Sequence, residues 1–457
     1  MRAWGERQTG SKTGLALSVG AVVAIAIGWL AYAAPLTKDE AYNRVYYGGF
    51  SAAKILQHYD LPNNHLLDTV FESWLPQGMI AWNPWTLRVI GVAAGVALTL
   101  VVLLLAARRG SLILALCLFG GSPLLVTYLF VSRGYGLSAL LVVLSIVVPA
   151  SLGGRLGRMR ILPGAVLLAL GIWPLPTNLW LAPGWLLGVL ALWGLPEALL
   201  AIAVLGPLLI VEYYPIKDDV RFVAHLANGA PSAGDFLGDL VHGASIVPAC
   251  FLVALALLLI AVVRARWPPS LAVLHSSDRS TQAAVWCALT SCSWFAVMIV
   301  VHAFGTELPY ARNAVPALWL GVIAVVLGVP PTRLRTVATL ILLVPLLVSV
   351  VLWGRAALGG DWKPVAGGIR SDVLNSSTPA TIRDVSSIHA DRVDCSSLDY
   401  PVCRLASSLL GRSGVAVRMR SGPYVRSLGC AIGSHEPPAP FQVIVYRRGT
   451  RLGELCH

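Results

Sequence analysis

Two neighbouring carboxylates are the first residues along the chain whose type and position could do chemistry. Asp39 and Glu40 follow an apolar run that ends near residue 34, within the stretch LTKDEAYNRVYYGG. A carboxylate held beside a reacting hydroxyl group can accept its proton. An acidic pair can also simply cap a loop helix, because negative charge stabilises the first turn. Taken alone, the pair leaves both interpretations open.

Residues with anion-binding chemistry follow at several later points. His65 ends a Pro-Asn-Asn-His turn about 25 residues after Asp39, where an imidazole and the amides of a helix N-terminus could bind an anion. Arginine is well suited to phosphate because its planar fork donates two parallel hydrogen bonds. The candidates at the ends of predicted helices are Arg88, Arg133, Tyr135 and Arg312.

A loop at about 212–243 contributes a second group of charged residues, which includes Lys217 and Arg221. Such a group is typical of a solvated loop. It is also compatible with a flexible lid that closes over a charged substrate.

The elements that position these residues are predicted to be membrane-spanning helices. Of the 457 residues, 56% are hydrophobic and only 12% are charged, compared with about 25% charged in soluble domains. The apolar residues form runs long enough to cross about 30 Å of hydrocarbon. Eleven runs are predicted, at 14–34, 87–106, 111–131, 136–151, 161–175, 178–195, 197–211, 244–263, 283–303, 313–329 and 337–354.

The basic residues predict an orientation for these spans. If the N-terminus is cytoplasmic, the clusters around Arg108, Arg158, Arg264 and Arg333 all lie on the cytoplasmic side, as the positive-inside rule requires. The net charge of +12 is therefore explained by the membrane, and no basic stripe indicates nucleic acid. The first run also has features of a cleaved signal peptide, with Ala-Tyr-Ala at 31–33. Either way, the loop at 35–86 is predicted to lie outside.

The predicted domains are a transmembrane module at 1–354 and an extracytoplasmic C-terminal domain at 355–457. In the latter, FQVIVY at 441–446, RRGT and RLGEL predict a β-hairpin, and hence a small α/β domain. Four cysteines fall in this tail, which in an oxidising compartment predicts two disulfides without specifying their pairing. They are Cys395, Cys403, Cys430 and Cys456.

The arrangement of Asp39-Glu40 and Asn-Asn-His within one outer loop resembles the GT-C superfamily of membrane glycosyltransferases, and within it the protein O-mannosyltransferase and aminoarabinose-transferase branch. Further short motifs extend the resemblance over most of the chain: WTLRVIG, Ser-Arg-Gly-Tyr-Gly at 132–136, Pro-Tyr-Ala-Arg-Asn at 309–313 and Asp-Trp-Lys at 361–363. The Pro-Tyr-Ala-Arg motif departs from the usual Pro-Arg-Tyr, and the cysteine-containing tail is not a general family feature.

The resemblance implies an enzyme that transfers a sugar from a polyprenyl-phosphate carrier to a hydroxyl group of a glycan, lipid or protein on the outer face. In that family the aspartate of the first loop is the catalytic acid/base, which carries over to Asp39, with Glu40 beside it. A single displacement inverts the anomeric configuration. No cofactor motif is present, and a divalent metal ion between Asp39 and the phosphate stays open.

Two other classes of membrane protein are alternatives. A transporter or flippase would also have many spans, but it usually has charged residues at mid-membrane and repeated halves, which this sequence does not show. A polymerase or ligase of lipid-linked glycans usually depends on a large late outer loop. The carboxylates in the first loop therefore favour the transferase.

Overall fold

The computed structural model describes residues 2–34, 40, 50–57, 66–75, 84–131, 133–217, 234, 236, 238, 278–303 and 311–359, together with three strands in the tail. Thirteen α-helices lie in these ranges. They are α1 (Arg2–Ala33), α2 (Ala52–Gln57), α3 (Leu66–Trp74), α4 (Val89–Arg109), α5 (Leu112–Gly120), α6 (Pro123–Thr127), α7 (Tyr135–Leu152), α8 (Ile161–Ile172), α9 (Ala182–Trp193), α10 (Leu195–Tyr213), α11 (Arg279–Ala303), α12 (Val315–Gly328) and α13 (Arg333–Gly359).

Short 3₁₀ segments connect or extend several of these helices. They are Pro84–Arg88, Gly153–Arg160, Pro176–Leu181, Tyr214–Ile216 and Ala311–Ala314. The first and last of them immediately precede α4 and α12, so each leads an arginine into the start of a membrane helix.

The helices confirm an all-α membrane protein. Within the described ranges, six helices are long and apolar enough to cross a bilayer: Ser11–Ala33, Thr86–Arg109, Tyr135–Leu152, Leu195–Ile216, Arg279–Ala303 and Arg333–Leu358. Ten of the eleven predicted runs contain helix, while the run at 244–263 lies outside the described residues. Four of the ten contain only shorter helices, so the count of eleven spans stays a prediction.

The run at 111–131 differs from the single span that was predicted. It divides into α5 and α6 at Gly121-Ser122, where the Ser122 hydroxyl accepts a hydrogen bond from the Leu125 amide (3.4 Å) and Pro123 starts the next helix. Serine at the N-cap and proline in the first turn both favour a new helix start. The chain after α6 then turns toward the start of α4.

Close backbone packing against α4 positions that turn. Gly91 and Gly95 form the G-x-x-x-G pattern of α4, and they face the backbone of residues 129–131. A Cβ atom at Gly91 would lie 3.0 Å from the Val131 carbonyl oxygen, and one at Gly95 would overlap the Leu129 carbonyl oxygen. Small residues allow this approach. The motif thus packs closely against a turn rather than against a helix face.

We expect Gly95→Ala to destabilise the protein by about 1–3 kcal/mol, the usual cost of overpacking. The added methyl group must displace the Leu129 backbone, since the carbonyl oxygen cannot rotate away. Gly28→Ala in α1 is the matched control, because nothing lies within 4 Å of a Cβ at that position. Thermal unfolding of both variants in detergent would check this, and equal stability would contradict the packing described here.

A polar network joins α4 and α11 at the end of the helices where the basic clusters lie. Arg109 Nη2 donates to both carboxylate oxygens of Asp278 (2.6 and 2.8 Å) and to the Ser280 hydroxyl. Burial alone would raise the pKa of Asp278, but hydrogen bonds from Ser280 and Thr281, together with the charge of Arg109, lower it to about 2. The Asp278 carboxylate therefore stays ionised at neutral pH, where it pairs with Arg109.

The tail contains a mixed three-stranded sheet of β1 (Arg392–Ser396), β2 (Ala416–Arg420) and β3 (Val443–Tyr446), in the order β2-β1-β3. β1 pairs with β2 in parallel and with β3 antiparallel, with Asp394 opposite Ile444. The predicted strand at 441–446 is thus present, but its described partner is β1. The RLGEL segment lies outside the described residues.

Cysteines occur both in the helices and in the tail. In the described part of the chain, Cys117, Cys287 and Cys292 are free thiols in or beside apolar helices. Cys395 lies in β1, and Cys403, Cys430 and Cys456 lie outside the described residues. The two disulfides of the tail stay a prediction.

Candidate active site

A buried ion pair anchors the loop at 35–86 to the helices. Arg88 Nε and Nη2 donate to the two carboxylate oxygens of Glu40, each at 2.8 Å. Arg88 Nη1 donates to the carbonyl oxygens of Ala31 and Ala34, also at 2.8 Å. Both charged residues are 1% exposed. A single guanidinium group thus joins the end of α1, the start of α4 and the residue next to Asp39.

These contacts bear on two predicted roles, which stay predictions. Arg88 was expected to bind the lipid phosphate, but four of its hydrogen bonds go to Glu40 and to the last carbonyls of α1. Glu40 was expected to stand beside Asp39 as a catalytic group, but both its oxygens accept from Arg88. A bidentate buried pair has fixed geometry, so this pair fixes Glu40 against the ends of α1 and α4.

Arg133 lies on the turn between α6 and α7. Gly134 next to it has φ 67°, in the left-handed region that favours glycine, and its carbonyl accepts from the Ser138 amide at 2.8 Å to start α7. The Arg133 side chain is 1% exposed, and its guanidinium carbon lies 5.7 Å from the centre of the Tyr135 ring. The Ser-Arg-Gly-Tyr-Gly motif therefore holds an arginine in the interior at a helix end.

Tyr135 connects this turn with the other predicted arginine. Its hydroxyl donates to Asn313 Oδ1 at 3.2 Å, and Asn313 follows Arg312 in the 3₁₀ turn before α12. Arg312 is also buried, at 7% exposure. The structure thus brings the two motifs around Arg133 and Arg312 together, although they are far apart in the sequence.

The same region reaches the Arg88–Glu40 pair through an aromatic ring. Phe130, on the turn before Arg133, lies 5.7 Å from the Arg88 guanidinium carbon, and its other neighbour is Trp353 of α13, at 5.9 Å between ring centres. A cation over an aromatic face at this distance is an attractive contact. Arg88, Arg133 and Arg312 therefore belong to one region at the end of the helices opposite the basic clusters.

The loop at 35–86 packs on this end of the helices through α2 and α3. Ile55, Leu66 and Val70 form a small apolar cluster with Ile216, and Trp173 and Tyr213 pack beside it. Leu66, which directly follows His65, is 1% exposed. Helix α3 is therefore held against the C-terminal ends of α8 and α10.

Two buried carboxylates on α3 were not predicted from the sequence. Asp68 is fully buried and Glu72, one turn later, is 3% exposed. Their spacing of four residues was the available signal, but acidic residues usually face solvent, so the pattern alone favours a solvated helix. In the folded chain they add carboxylates to the loop that carries Asp39.

The structure describes only some of the remaining predicted residues. Lys217 is exposed, with its Nζ atom 4.2 Å from the centre of the Tyr214 ring, which gives it a local partner at the start of its loop. Asp39, His65 and Arg221 lie outside the described residues, and their roles stay proposals. Where side chains are described, no three metal-binding residues come together, and metal dependence stays open.

Comparisons with known proteins return one distant structure. No protein-family model and no curated protein matches the chain. A crystal structure of ArnT from Cupriavidus metallidurans bound to undecaprenyl phosphate matches at 13% identity with a TM-score of 0.46, over 92% of this chain and 81% of that one.

Proposed function

We propose that this protein is a membrane glycosyltransferase of the GT-C type. It transfers a sugar from a polyprenyl-phosphate carrier to a hydroxyl group on the outer face of the cytoplasmic membrane. The observation that carries the proposal is the single region formed by Arg133, Tyr135 and Arg312 beside the Glu40–Arg88 pair. Each of these residues was predicted from a motif that resembles this superfamily.

The chemistry assigns a role to each part of the region. When a sugar leaves a lipid phosphate, negative charge develops on the phosphate oxygens, and preorganised cations stabilise that charge. Arg133 and Arg312 supply the cations, with Tyr135 holding their two turns in register. The phosphate of a lipid carrier lies at the membrane surface, which is where helix ends present these residues.

Proton transfer completes the proposed reaction. Asp39 accepts the proton of the acceptor hydroxyl as its oxygen attacks the anomeric carbon, and the bond to the phosphate oxygen breaks on the opposite side. The lipid phosphate leaves with the bonding electron pair, and the configuration inverts. Glu40, locked by Arg88, fixes the backbone one residue from Asp39, which is the positioning that a general base requires.

The orientation follows from the distribution of charge. The basic residues at the ends of α4, α7 and α13 face the cytoplasm, and the loop that carries Asp39 faces outward together with the C-terminal domain. Donor and acceptor then meet on the outer face of the membrane. The lipid-linked donor supplies the sugar there, so the reaction needs no nucleotide sugar.

The phosphate-binding assignment predicts that Arg133→Gln and Arg312→Gln each weaken binding of a polyprenyl phosphate at least tenfold. Each loses a charge-assisted bidentate contact, and Lys at either position should restore part of it because it keeps the charge but not the fork. Binding to the purified full chain in detergent, followed by native mass spectrometry, measures the effect.

Arg158→Gln is the control for these variants. Arg158 is a cation at the other end of the helices, where its side chain is 71% exposed beside Glu197. It should bind the lipid phosphate like the wild type. Unchanged binding in both the Arg133 and Arg312 variants would remove the proposed phosphate site.

A further inference from the structure

A groove follows α1 and α13, away from the candidate active site. Its basic end is a cavity of ≈ 560 Å³ between α1, the turn from α4 to α5, and α13. Lys12 and Leu15 line it from α1, and Arg335, Thr339 and Leu343 line it from α13. Lys12 and Arg335 are the two cations of this lining, and most of the other side chains are aliphatic.

A second cavity continues along the same two helices. It measures ≈ 440 Å³ and is lined by Val23 and Ile27 of α1, Leu116 of α5 and Leu346 of α13, among other apolar residues. Leu343 of the first cavity and Leu346 of the second are one helical turn apart. The two cavities therefore follow one another along the same two helices, and together we call them the α1–α13 groove.

The charged residues that line the groove are all basic. No acidic residue is among the described residues that line either cavity. Lys12 is exposed, and Arg335 is half-buried, with one hydrogen bond from Nη1 to the Val329 carbonyl oxygen at 3.4 Å. The Thr339 hydroxyl is already bonded to the Arg335 carbonyl oxygen at 2.8 Å. Two positive charges thus lie at the basic end of the groove.

We propose that the α1–α13 groove binds an anionic phospholipid of the leaflet that the basic helix ends face. Its phosphate lies between Lys12 and Arg335, and its acyl chains lie along the apolar wall. The lengths agree: Lys12 to Ile27 spans about 22 Å of helix at about 1.5 Å per residue, enough for a chain that crosses half of a hydrocarbon core of about 30 Å. Basic pockets between spanning helices are suited to anionic headgroups.

This site is separate from sugar transfer. The phosphate-binding arginines proposed above lie at the other end of the helices, and neither Arg133 nor Arg312 lines the groove. A lipid here would fill the space between the first and the last described membrane helices, so its loss should loosen α13 without removing any group from the candidate active site.

The test is native mass spectrometry of the purified full chain titrated with phosphatidylglycerol or with phosphatidylcholine of the same acyl chains. We expect the wild type to retain phosphatidylglycerol more tightly, and the double variant Lys12→Gln/Arg335→Gln to lose about five- to thirtyfold in retention. Arg333→Gln is the matched control, because Arg333 is an exposed cation on the same helix end that does not line the groove. It should behave like the wild type.

A third variant tests the groove independently, in case the double variant does not fold. Leu343→Trp fills the groove while keeping both cations, and it should also reduce retention. Equal retention of the two lipids by the wild type, or full retention by the double variant and by Leu343→Trp, would overturn the proposal. Displacement of phosphatidylglycerol by an equal concentration of a polyprenyl phosphate would also overturn it, since the groove would then belong to the donor. None of these readouts depends on sugar transfer.

Discussion

Asp39→Asn is expected to lower sugar transfer by about 10²–10⁴-fold, the usual contribution of a positioned general base, while the protein stays inserted and folded. Asparagine has nearly the same shape as aspartate but cannot accept the proton of the acceptor hydroxyl. Binding of the lipid phosphate should be unchanged, because Arg133 and Arg312 are untouched. The assay is transfer in proteoliposomes from a panel of polyprenyl-phosphate-linked sugars.

Two comparisons make this result specific. Asp278→Asn removes a carboxylate at the other end of the helices, where Asp278 pairs with Arg109, and it should retain activity. Asp68→Asn tests the buried carboxylate on α3 of the same loop. Full activity in Asp39→Asn combined with lost activity in Asp68→Asn would transfer the role of base to Asp68 and refute the assignment to Asp39.

Arg88→Met is expected to destabilise the protein by about 3–5 kcal/mol, because it leaves the Glu40 carboxylate buried without the guanidinium that now holds it. The loss also removes the two hydrogen bonds to the carbonyl oxygens at the end of α1. We expect activity to fall as well, since the backbone next to Asp39 is no longer fixed. Thermal unfolding in detergent and the transfer assay measure the two effects.

The double variant Glu40→Leu/Arg88→Met separates stability from positioning. With both charges replaced by apolar groups, much of the stability should return, since a buried pair seldom stabilises more than well-packed apolar residues. Activity should stay low, because the bidentate link to the loop is absent. A double variant that is both stable and fully active would show that the pair has no positioning role. Arg158→Met, in a surface pair with Glu197, serves as the control.

The locations of the helices follow from the sequence because the bilayer imposes them. A segment that crosses the hydrocarbon must satisfy its backbone hydrogen bonds internally and needs about 20 apolar residues, so helix occurs in every predicted run that the structure describes. The bilayer also explains why Arg133 and Arg312 could be predicted to lie at helix ends, since ionised side chains are costly in the middle of the membrane.

The partner of each ionised side chain could not be read from the amino-acid pattern. Arg88 and Glu40 are 48 residues apart, and Tyr135 and Asn313 are 178 apart, so no local spacing relates them. As isolated motifs, Arg88 and Arg133 are equally good phosphate ligands. Arg88 differs from Arg133 in its position in the fold. The start of α4 lies close enough to the end of α1 for Arg88 to bond to the last carbonyl oxygens of that helix. Arg133 instead follows the turn that packs on Gly91 and Gly95. Long-range packing therefore separates the arginine that holds the loop from those we assign to the phosphate.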